Sequence, residues 1–314
     1  MQGKQRSSPE QMESFTDSTP LLNDREALRA RADADGFLFF KRLLPEGRIL
    51  SLRRDLLKVV ERHGWRRRGQ DPWGGRINCE AINRVPAEKM RLDIGVSAKA
   101  YEDAQKLERV HRLPHHKTLI ELYRTLFGSE VLVHPRHIIR MITPHQGMAP
   151  TPQHQDFPLI QGAAQTWTCW FPLGNCPREL GGLAVLRGSH KLGCLPIQTA
   201  QGAGGLTSQT CPQEENTWVS GDYEIGDVLT FSSLTVHRAL RCQIRDRIRL
   251  SMDIRFQSAD DIVHEGSLKP HCDLDWEDIY SHWKKDDLKY YWRASPRKLS
   301  PWDASLKQPK RRIC

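Results

Sequence analysis

From Arg247 to Phe256 the chain alternates without a slip. Ile248, Leu250, Met252 and Ile254 fall on one side, and Arg247, Arg249, Ser251, Asp253 and Arg255 on the other. Side chains of a strand point to opposite faces at a period of two, so this stretch is a β-strand with one apolar and one charged face. A row of charge that dense is ordinarily solvated. Its neighbours suggest another use. His237 stands ten residues before Arg247, at the far end of the apolar run Val228–Phe231, which follows the turn Gly226-Asp227 and reads as a buried strand. Earlier in the chain stands His154-Gln155-Asp156. Two apart at a strand end, His154 and Asp156 can reach one metal ion from the same face, with His237 arriving from a distant strand. Two imidazoles and one carboxylate are the facial ligand set of an Fe(II) centre, which leaves the opposite face of the ion open. Beside such ligands, the charged face of the last strand can line a polar cavity and hold an anion.

An H-x-D triplet recurs by chance in many chains, so its context carries the reading. Here the context resembles the phytanoyl-CoA dioxygenase family of Fe(II)- and 2-oxoglutarate-dependent oxygenases. The matching pieces run in order: Asp35-Gly36-Phe37-Leu38, His154-Gln155-Asp156, Glu179-Leu180-Gly181-Gly182-Leu183, Arg187-Gly188-Ser189-His190-Lys191, Gly226-Asp227-Val228-Leu229, Val236-His237 and Arg255-Phe256-Gln257. They span residues 33 to 258. The resemblance implies a mainly β fold with flanking helices, built on a double-stranded β-helix (jelly-roll, cupin-like) core. It also implies Fe(II) held by His154, Asp156 and His237, with 2-oxoglutarate and O2 as co-substrates.

The far carboxylate of 2-oxoglutarate needs a bidentate cation, and Arg247 and Arg249, ten and twelve residues past His237, both qualify. Counting back from Arg255-Phe256-Gln257 favours Arg249, with Ser251 as a second donor. Arg247 stays as the alternative. The resemblance places Trp170 close to 2-oxoglutarate, although a tryptophan there can equally fill the core. Where the family often has an asparagine after the distal histidine, this chain has Arg241-Cys242-Gln243. His134, His137 and His145 are surplus to a complete triad, and His190 belongs to a structural turn. Arg140 can face the cavity or the surface. The implied reaction couples decarboxylation of 2-oxoglutarate to hydroxylation of an unactivated C–H bond of a small molecule, lipid-like, acyl or natural product. Asp156 disfavours halogenation, since related halogenases keep a small residue there. The alternatives are a binding protein that retains the barrel without turnover and a cupin-like metalloenzyme that does not use 2-oxoglutarate.

A chain of 314 residues with 38% hydrophobic residues can bury a substantial core. Its eight cysteines are scattered without a C-x-x-C pair, which argues against a disulfide framework or structural zinc and suggests a cytoplasmic setting. No apolar stretch approaches a membrane span. The net charge of +9 gathers at Arg66-Arg67-Arg68 and from Arg297 to Arg312 without interleaved aromatics, so it reads as solvated faces and no nucleic-acid partner is expected. The organisation expected is a disordered segment over 1–22, one oxygenase domain over 23–295 and a basic flexible tail over 296–314. Within it, helices are expected over Glu26–Ala34, capped by Asn23 or Asp24, from Pro45 to about His63, and over Lys117–Phe127. Strands are expected over Phe37–Phe40, Val131–Val133, His137–Ile142 and Thr166–Trp170. Residues 65–110 read as an irregular insertion, 198–217 as a mobile loop or lid, and the aromatics from Trp276 to Trp292 as packing. Oligomeric state is not readable.

Overall fold

Asp24 accepts a hydrogen bond from the Ala27 amide and so caps the helix Arg25–Asp35, which Gly36 ends in the left-handed conformation at φ 79°. The chain turns directly into the strand Phe37–Phe40. In the computed structural model, which describes residues 12–67, 69–211, 217–310 and 312, that strand edges a six-stranded sheet. Phe37–Phe40 pairs with Val228–Ser232, Val228–Ser232 with Trp167–Pro172, and Trp167–Pro172 with the long central strand Arg249–Ser258. Val131–Val133 and Ile138–Ile142 both pair with Arg249–Ser258 on its other side. A smaller sheet orders Trp218–Val219, Leu183–Leu186 and His237–Ala239. This is the jelly-roll architecture with flanking helices, and the sheets do not close into a continuous barrel among the described residues.

The alternation of the last strand decides which layer covers which face. Leu250, Met252, Ile254 and Phe256 pack with Trp167, Cys169 and Phe171 against the helices Glu46–Arg62 and Lys117–Phe127. Tyr123 of the second helix stacks on Phe256 at 4.0 Å and meets the Thr230 hydroxyl at 2.6 Å. The opposite face looks toward the small sheet, where Trp170, Leu183, Val185, Leu229 and Phe231 form the inter-sheet core. The charged residues of the strand therefore lie inside. Arg249, Ser251, Asp253 and Arg255 are all buried, contrary to the solvated face that such a pattern ordinarily means.

Several expectations change. The segment 65–110 contains the short helices Cys79–Asn83, Ala98–Gln105 and Glu108–Arg112, and Tyr101, Ala104 and Val110 are core residues. Arg66 is buried, not solvated, with Glu61 3.6 Å away. Of the segment 1–22, residues 1–11 lie outside the described residues. The remainder is packed, with Phe15 stacked on Phe39 at 4.7 Å and Glu13 bridged to Val219. The basic tail is also engaged: Leu299–Ser300 pairs with Val263–His264, and the Lys310 amide bonds the Ile197 carbonyl. Among the described residues six cysteines are free thiols, but Cys211 is disulfide-bonded. The lid segment holds a hairpin, Ile197–Thr199 with Leu206–Ser208, while 212–216 fall outside the described residues. The C-terminal aromatics Trp276, Tyr280, Trp283 and Trp292 do pack as a cluster. No helix among the described residues is long and apolar enough to cross a membrane.

Two consequences are measurable. An alanine Cβ at Gly36 would lie 2.3 Å from His190 Nδ1 and 2.8 Å from Thr235 Oγ1, at a φ that L-residues resist. Gly36→Ala is expected to cost about 2 kcal/mol or more in a urea melt, through strain and overpacking together. His111 and His134 are buried, and burial pushes each from 6.5 down to about 4. Above pH 6.5 both are neutral in either state and their effect on stability vanishes. Between 6.5 and 4 the unfolded chain takes protons that the folded one refuses, so stability falls as pH falls, by up to about 1.4 kcal/mol per pH unit for each histidine. Chemical melts from pH 7 to 4.5 should show that slope, and His111→Gln should reduce it.

Candidate metal centre

His237 opens a strand of the small sheet, and the backbone of His154 pairs with it in both directions, each amide donating to the other's carbonyl at 2.9 Å. This bridge sets the two rings 4.2 Å apart. Each imidazole is then fixed by its own chain. His154 Nδ1 donates to the Pro152 carbonyl at 2.8 Å and His237 Nδ1 to the Thr235 carbonyl at 3.1 Å. With the protons on Nδ1, both Nε2 lone pairs are left to ligate. Asp156 Oδ1 lies 3.7 Å from Nε2 of His154 and 3.9 Å from that of His237. One ligand atom from each residue falls within 4.8 Å of the others. Two nitrogens and one carboxylate oxygen converging from one side are a donor set that fits Fe(II) and leaves the far side open.

The other oxygen of Asp156 is held by the large sheet. Arg255 Nη2 donates to Oδ2 at 3.1 Å, and the Thr168 hydroxyl donates to the same atom. Arg255 and Thr168 are cross-strand partners in register, so one pairing supplies both donors. Burial alone would raise the Asp156 pKa, but Arg255, then His237, His154 and the Thr168 hydroxyl, outweigh it and keep the carboxyl well below its usual range. Burial and the neighbouring His237 push His154 down to about 3 against the pull of Asp156. Burial also lowers His237. Near neutral pH the set is one carboxylate and two neutral imidazoles, the protonation state that binds a cation.

Further along the charged face, Arg140 donates to Asp253 at 2.6 Å. Arg249 Nη1 reaches Ser251 Oγ at 3.2 Å, its guanidinium lies 5.9 Å from the Trp170 ring, and its Nε has no partner. No carboxylate pairs with this buried cation among the described residues. A cavity of about 30 Å³ joins Arg249 and Trp170 to the triad. A groove of about 380 Å³ shares Arg249, Ile142, Thr151 and Ala239 with it and opens outward. On the other side of His154 and Asp156 lies a cavity of about 210 Å³ with Ile138, Leu159, Ile160 and Leu206 in its walls.

The structure thus brings together His154, Asp156, His237, Arg249, Ser251 and Trp170. It does not bring Arg247. That residue precedes the strand, is exposed, and lines a separate surface hollow with Arg53 and Arg76. Trp170 fills the inter-sheet core, meeting Tyr223 edge-on at 4.7 Å, and also lines the small cavity beside Arg249. Arg140 faces the cavity. His145 bonds the Val85 carbonyl at 2.9 Å and His190 the Asp33 carbonyl at 3.0 Å, while His134, bonded to Gln257 at 2.7 Å, lines the 210 Å³ cavity beside His154 and Asp156. His137 packs against His111. Arg255 and Thr168 were missed as site residues. Both share the strand parity of Arg249 and Trp170, which was the available signal.

The family model for phytanoyl-CoA dioxygenase (PhyH) matches residues 32–243. The chain belongs to the phytanoyl-CoA dioxygenase family. It is an iron(II)- and 2-oxoglutarate-dependent oxidoreductase, with O2 as the oxidant. It is 26% identical over 257 residues to a 1-deoxypentalenic acid 11-beta-hydroxylase of Streptomyces arenae, covering 78% of this chain and 85% of the relative. The same enzyme of Streptomyces exfoliatus is 26% identical over 258 residues, with 78% and 85% covered. Among solved structures, the epimerase SnoN in complex with Fe3+, alpha-ketoglutarate and nogalamycin RO superposes with a TM-score of 0.54 at 21% identity, covering 81% of this chain and 93% of that one. The non-heme monooxygenase ThoJ in its apo form gives a TM-score of 0.50 at 17% identity, covering 74% and 77%. At those identities the two structures speak for the fold alone.

The support given to Asp156 can be tested. Replacing the outer partner of a metal ligand typically costs about 10–100-fold in metal affinity. Arg255→Met should weaken Fe(II) binding by about that factor in competition with a colorimetric chelator, while the Arg247→Ala control keeps wild-type affinity.

Proposed function

We propose that this protein hydroxylates an unactivated C–H bond of a small molecule, with His154, Asp156 and His237 holding the iron and Arg249 holding the far carboxylate of 2-oxoglutarate. The observation that carries the reading is the arrangement of charge about the triad. Three ligand atoms converge between two cavities, and behind one of them waits a buried arginine that pairs with no carboxylate among the described residues. Iron(II) bound there makes the oxidative decarboxylation of 2-oxoglutarate to succinate available, with one atom of O2 entering the succinate and the other the substrate.

The protein's own groups have distinct tasks. Arg249 and the Ser251 hydroxyl offer donors on one edge, matched to a carboxylate. Trp170 and Phe231 close the walls beside them and exclude water. The cavity there has only about the volume of one water molecule, so entry of 2-oxoglutarate proceeds from the outward groove and parts the side chains between. Arg255 and Thr168 hold Asp156 as an anion in one orientation. The 210 Å³ cavity on the other side is left for the substrate carbon skeleton, its wall of Ile138, Leu159, Ile160 and Leu206 fitting an apolar body. The hydroxylase relatives of the two Streptomyces species act, by name, on 1-deoxypentalenic acid, a precedent for a small-molecule substrate.

The experiment is an anaerobic titration of the Fe(II)-loaded protein with 2-oxoglutarate, followed through the weak visible charge-transfer band of the chelate. Wild type should develop the band, and His154→Ala should not. Arg249→Ala should raise the apparent Kd for 2-oxoglutarate by about 100-fold, the loss expected when a charge-assisted bidentate pair is removed. Arg247→Ala should leave the Kd unchanged. A band that forms equally well in Arg249→Ala would remove Arg249 from the assignment, and no band in wild type would remove 2-oxoglutarate from the site.

A further inference from the structure

The cavity on the substrate side holds an imbalance of charge. Five charged side chains line it: Asp93, Arg136, Arg140, Asp156 and Arg255. Four are accounted for. Arg255 pairs with Asp156 at 3.1 Å, Arg140 with Asp253 at 2.6 Å, and Asp93 with Arg91 at 3.2 Å. Arg136 has no such partner. Its Nη1 donates to two backbone carbonyls, of Pro270 at 2.9 Å and of Gly266 at 3.3 Å, which fix its position without cancelling its charge. No carboxylate pairs with it among the described residues. A half-buried cation fixed by carbonyls, with the rest of its guanidinium free at a cavity wall, is an anchor for an anion from outside. The buried Ser267, whose neighbour Gly266 receives the Arg136 bond, lines the same wall and offers a hydroxyl. The field is positive enough to act on a neighbour. Burial, then Arg136, Arg140, Arg255 and Arg91, push His271 well below its ordinary value, so it stays neutral and adds no positive charge of its own.

We infer that the substrate is a carboxylic acid with an apolar skeleton, its carboxylate held by Arg136 and its carbon body laid along Ile138, Leu159, Ile160 and Leu206 toward the triad. This deepens the oxygenase reading and rests on it. One uncompensated guanidinium matches one negative charge, as of a carboxylate, whereas a phosphate monoester would bring close to two. Planar bidentate pairing suits the carboxylate as well. The two unpaired arginines then divide the ligands between them. Arg249 does not line this cavity, and Arg136 does not line the small one beside Trp170, so each side of His154 and Asp156 carries one anion anchor. A cavity of about 210 Å³ lies below the roughly 300–1,000 Å³ of drug-sized sites, which favours a compact acid over a long carrier-linked chain enclosed whole.

The test compares two probes of nearly the same shape and different charge, cyclohexanecarboxylate and cyclohexanecarboxamide. Each is titrated calorimetrically into the full-length protein with 2-oxoglutarate in excess, which fills the Arg249 end. The acid should bind at least about tenfold more tightly than the amide, in line with the strength of a hydrogen bond to a charged group. Arg136→Gln should bring the two affinities within about twofold, and Arg136→Lys should keep part of the preference. Equal binding of acid and amide to wild type overturns the inference. So does an acid preference that survives intact in Arg136→Gln. Should the glutamine variant lose its fold, the wild-type comparison decides alone. The charge-transfer titration reports on the metal and 2-oxoglutarate separately, so a normal chelate band with no acid preference sinks this inference and spares the oxygenase reading, while an absent band sinks the oxygenase reading and with it the acid as its substrate.

Discussion

The ion pair between Arg255 and Asp156 is the contact on which the centre depends. Asp156 must be an anion to bind a metal, yet it sits almost without exposure between two sheets, where an isolated carboxylate would take up a proton. Arg255 resolves the conflict from the large sheet, and the Thr168 hydroxyl completes the hydrogen bonding of the same oxygen. The other oxygen is left facing the histidines. Removing Arg255 would leave a buried charge uncompensated, which is much costlier than the modest net value of an intact buried pair. The rest of the charged face follows the same rule, with Asp253 neutralising Arg140. Arg249 and Arg136 have no carboxylate partner among the described residues, and the partner proposed for each is a bound anion.

The position of His237 depends on a junction of turns behind it. The Gly36 carbonyl accepts from the Ser232 amide at 3.0 Å and from the Thr235 hydroxyl at 2.7 Å. The Gly188 amide donates to the Asp35 carbonyl at 2.8 Å, and the Ser189 hydroxyl accepts from the Val236 amide at 2.9 Å. Three motifs separated by up to about two hundred residues thus meet within two residues of His237. Only glycine can stand at position 36, because its α-carbon faces His190 and Thr235 with no room for a methyl group. The short motifs outside the triad owe their composition to this docking, in which backbone amides and carbonyls satisfy one another in a tightly packed space.

How much of this was legible follows from the range of each signal. The triad and the burial of Leu250, Met252 and Ile254 were readable because strand periodicity is local. The helices Glu46–Arg62 and Lys117–Phe127 were readable because three or more turns carry a stripe. Helices of five residues such as Cys79–Asn83 and Glu108–Arg112 carry no stripe, so the segment 65–110 looked irregular. The choice between Arg247 and Arg249 could not be settled by counting along the chain, since both have the same parity and the point where the strand begins is set by its neighbours, Ile142 facing Arg249. Arg255 was quoted only as part of a motif. Its role needed the register that puts it opposite Thr168, and register is a fact about two distant segments. Composition misled most in the described parts of the two ends, where Phe15, Glu13, Leu299 and Lys310 make specific contacts with Phe39, Val219, Val263 and Ile197.

The middle residue of His154-Gln155-Asp156 shows how the metal side and the substrate side are joined. At a period of two, Gln155 points away from its neighbours, and it is almost fully buried. Its amide nitrogen donates to the carbonyls of Leu234 at 2.6 Å and Gly193 at 2.8 Å, and its oxygen accepts from the Leu195 amide at 2.7 Å. One side chain thereby ties the proximal ligands to the turn before His237 and to the segment leading into the hairpin Ile197–Ser208. The hairpin is tied back in turn, since the Gln153 carbonyl accepts from the Ser208 amide at 2.9 Å and the Thr207 hydroxyl at 2.8 Å. Ala203, Gly204 and Leu206 of that hairpin wall the substrate cavity. Hydrogen bonds through Gln153 and Gln155 thus tie the hairpin that walls this cavity to the backbone that carries His154 and Asp156.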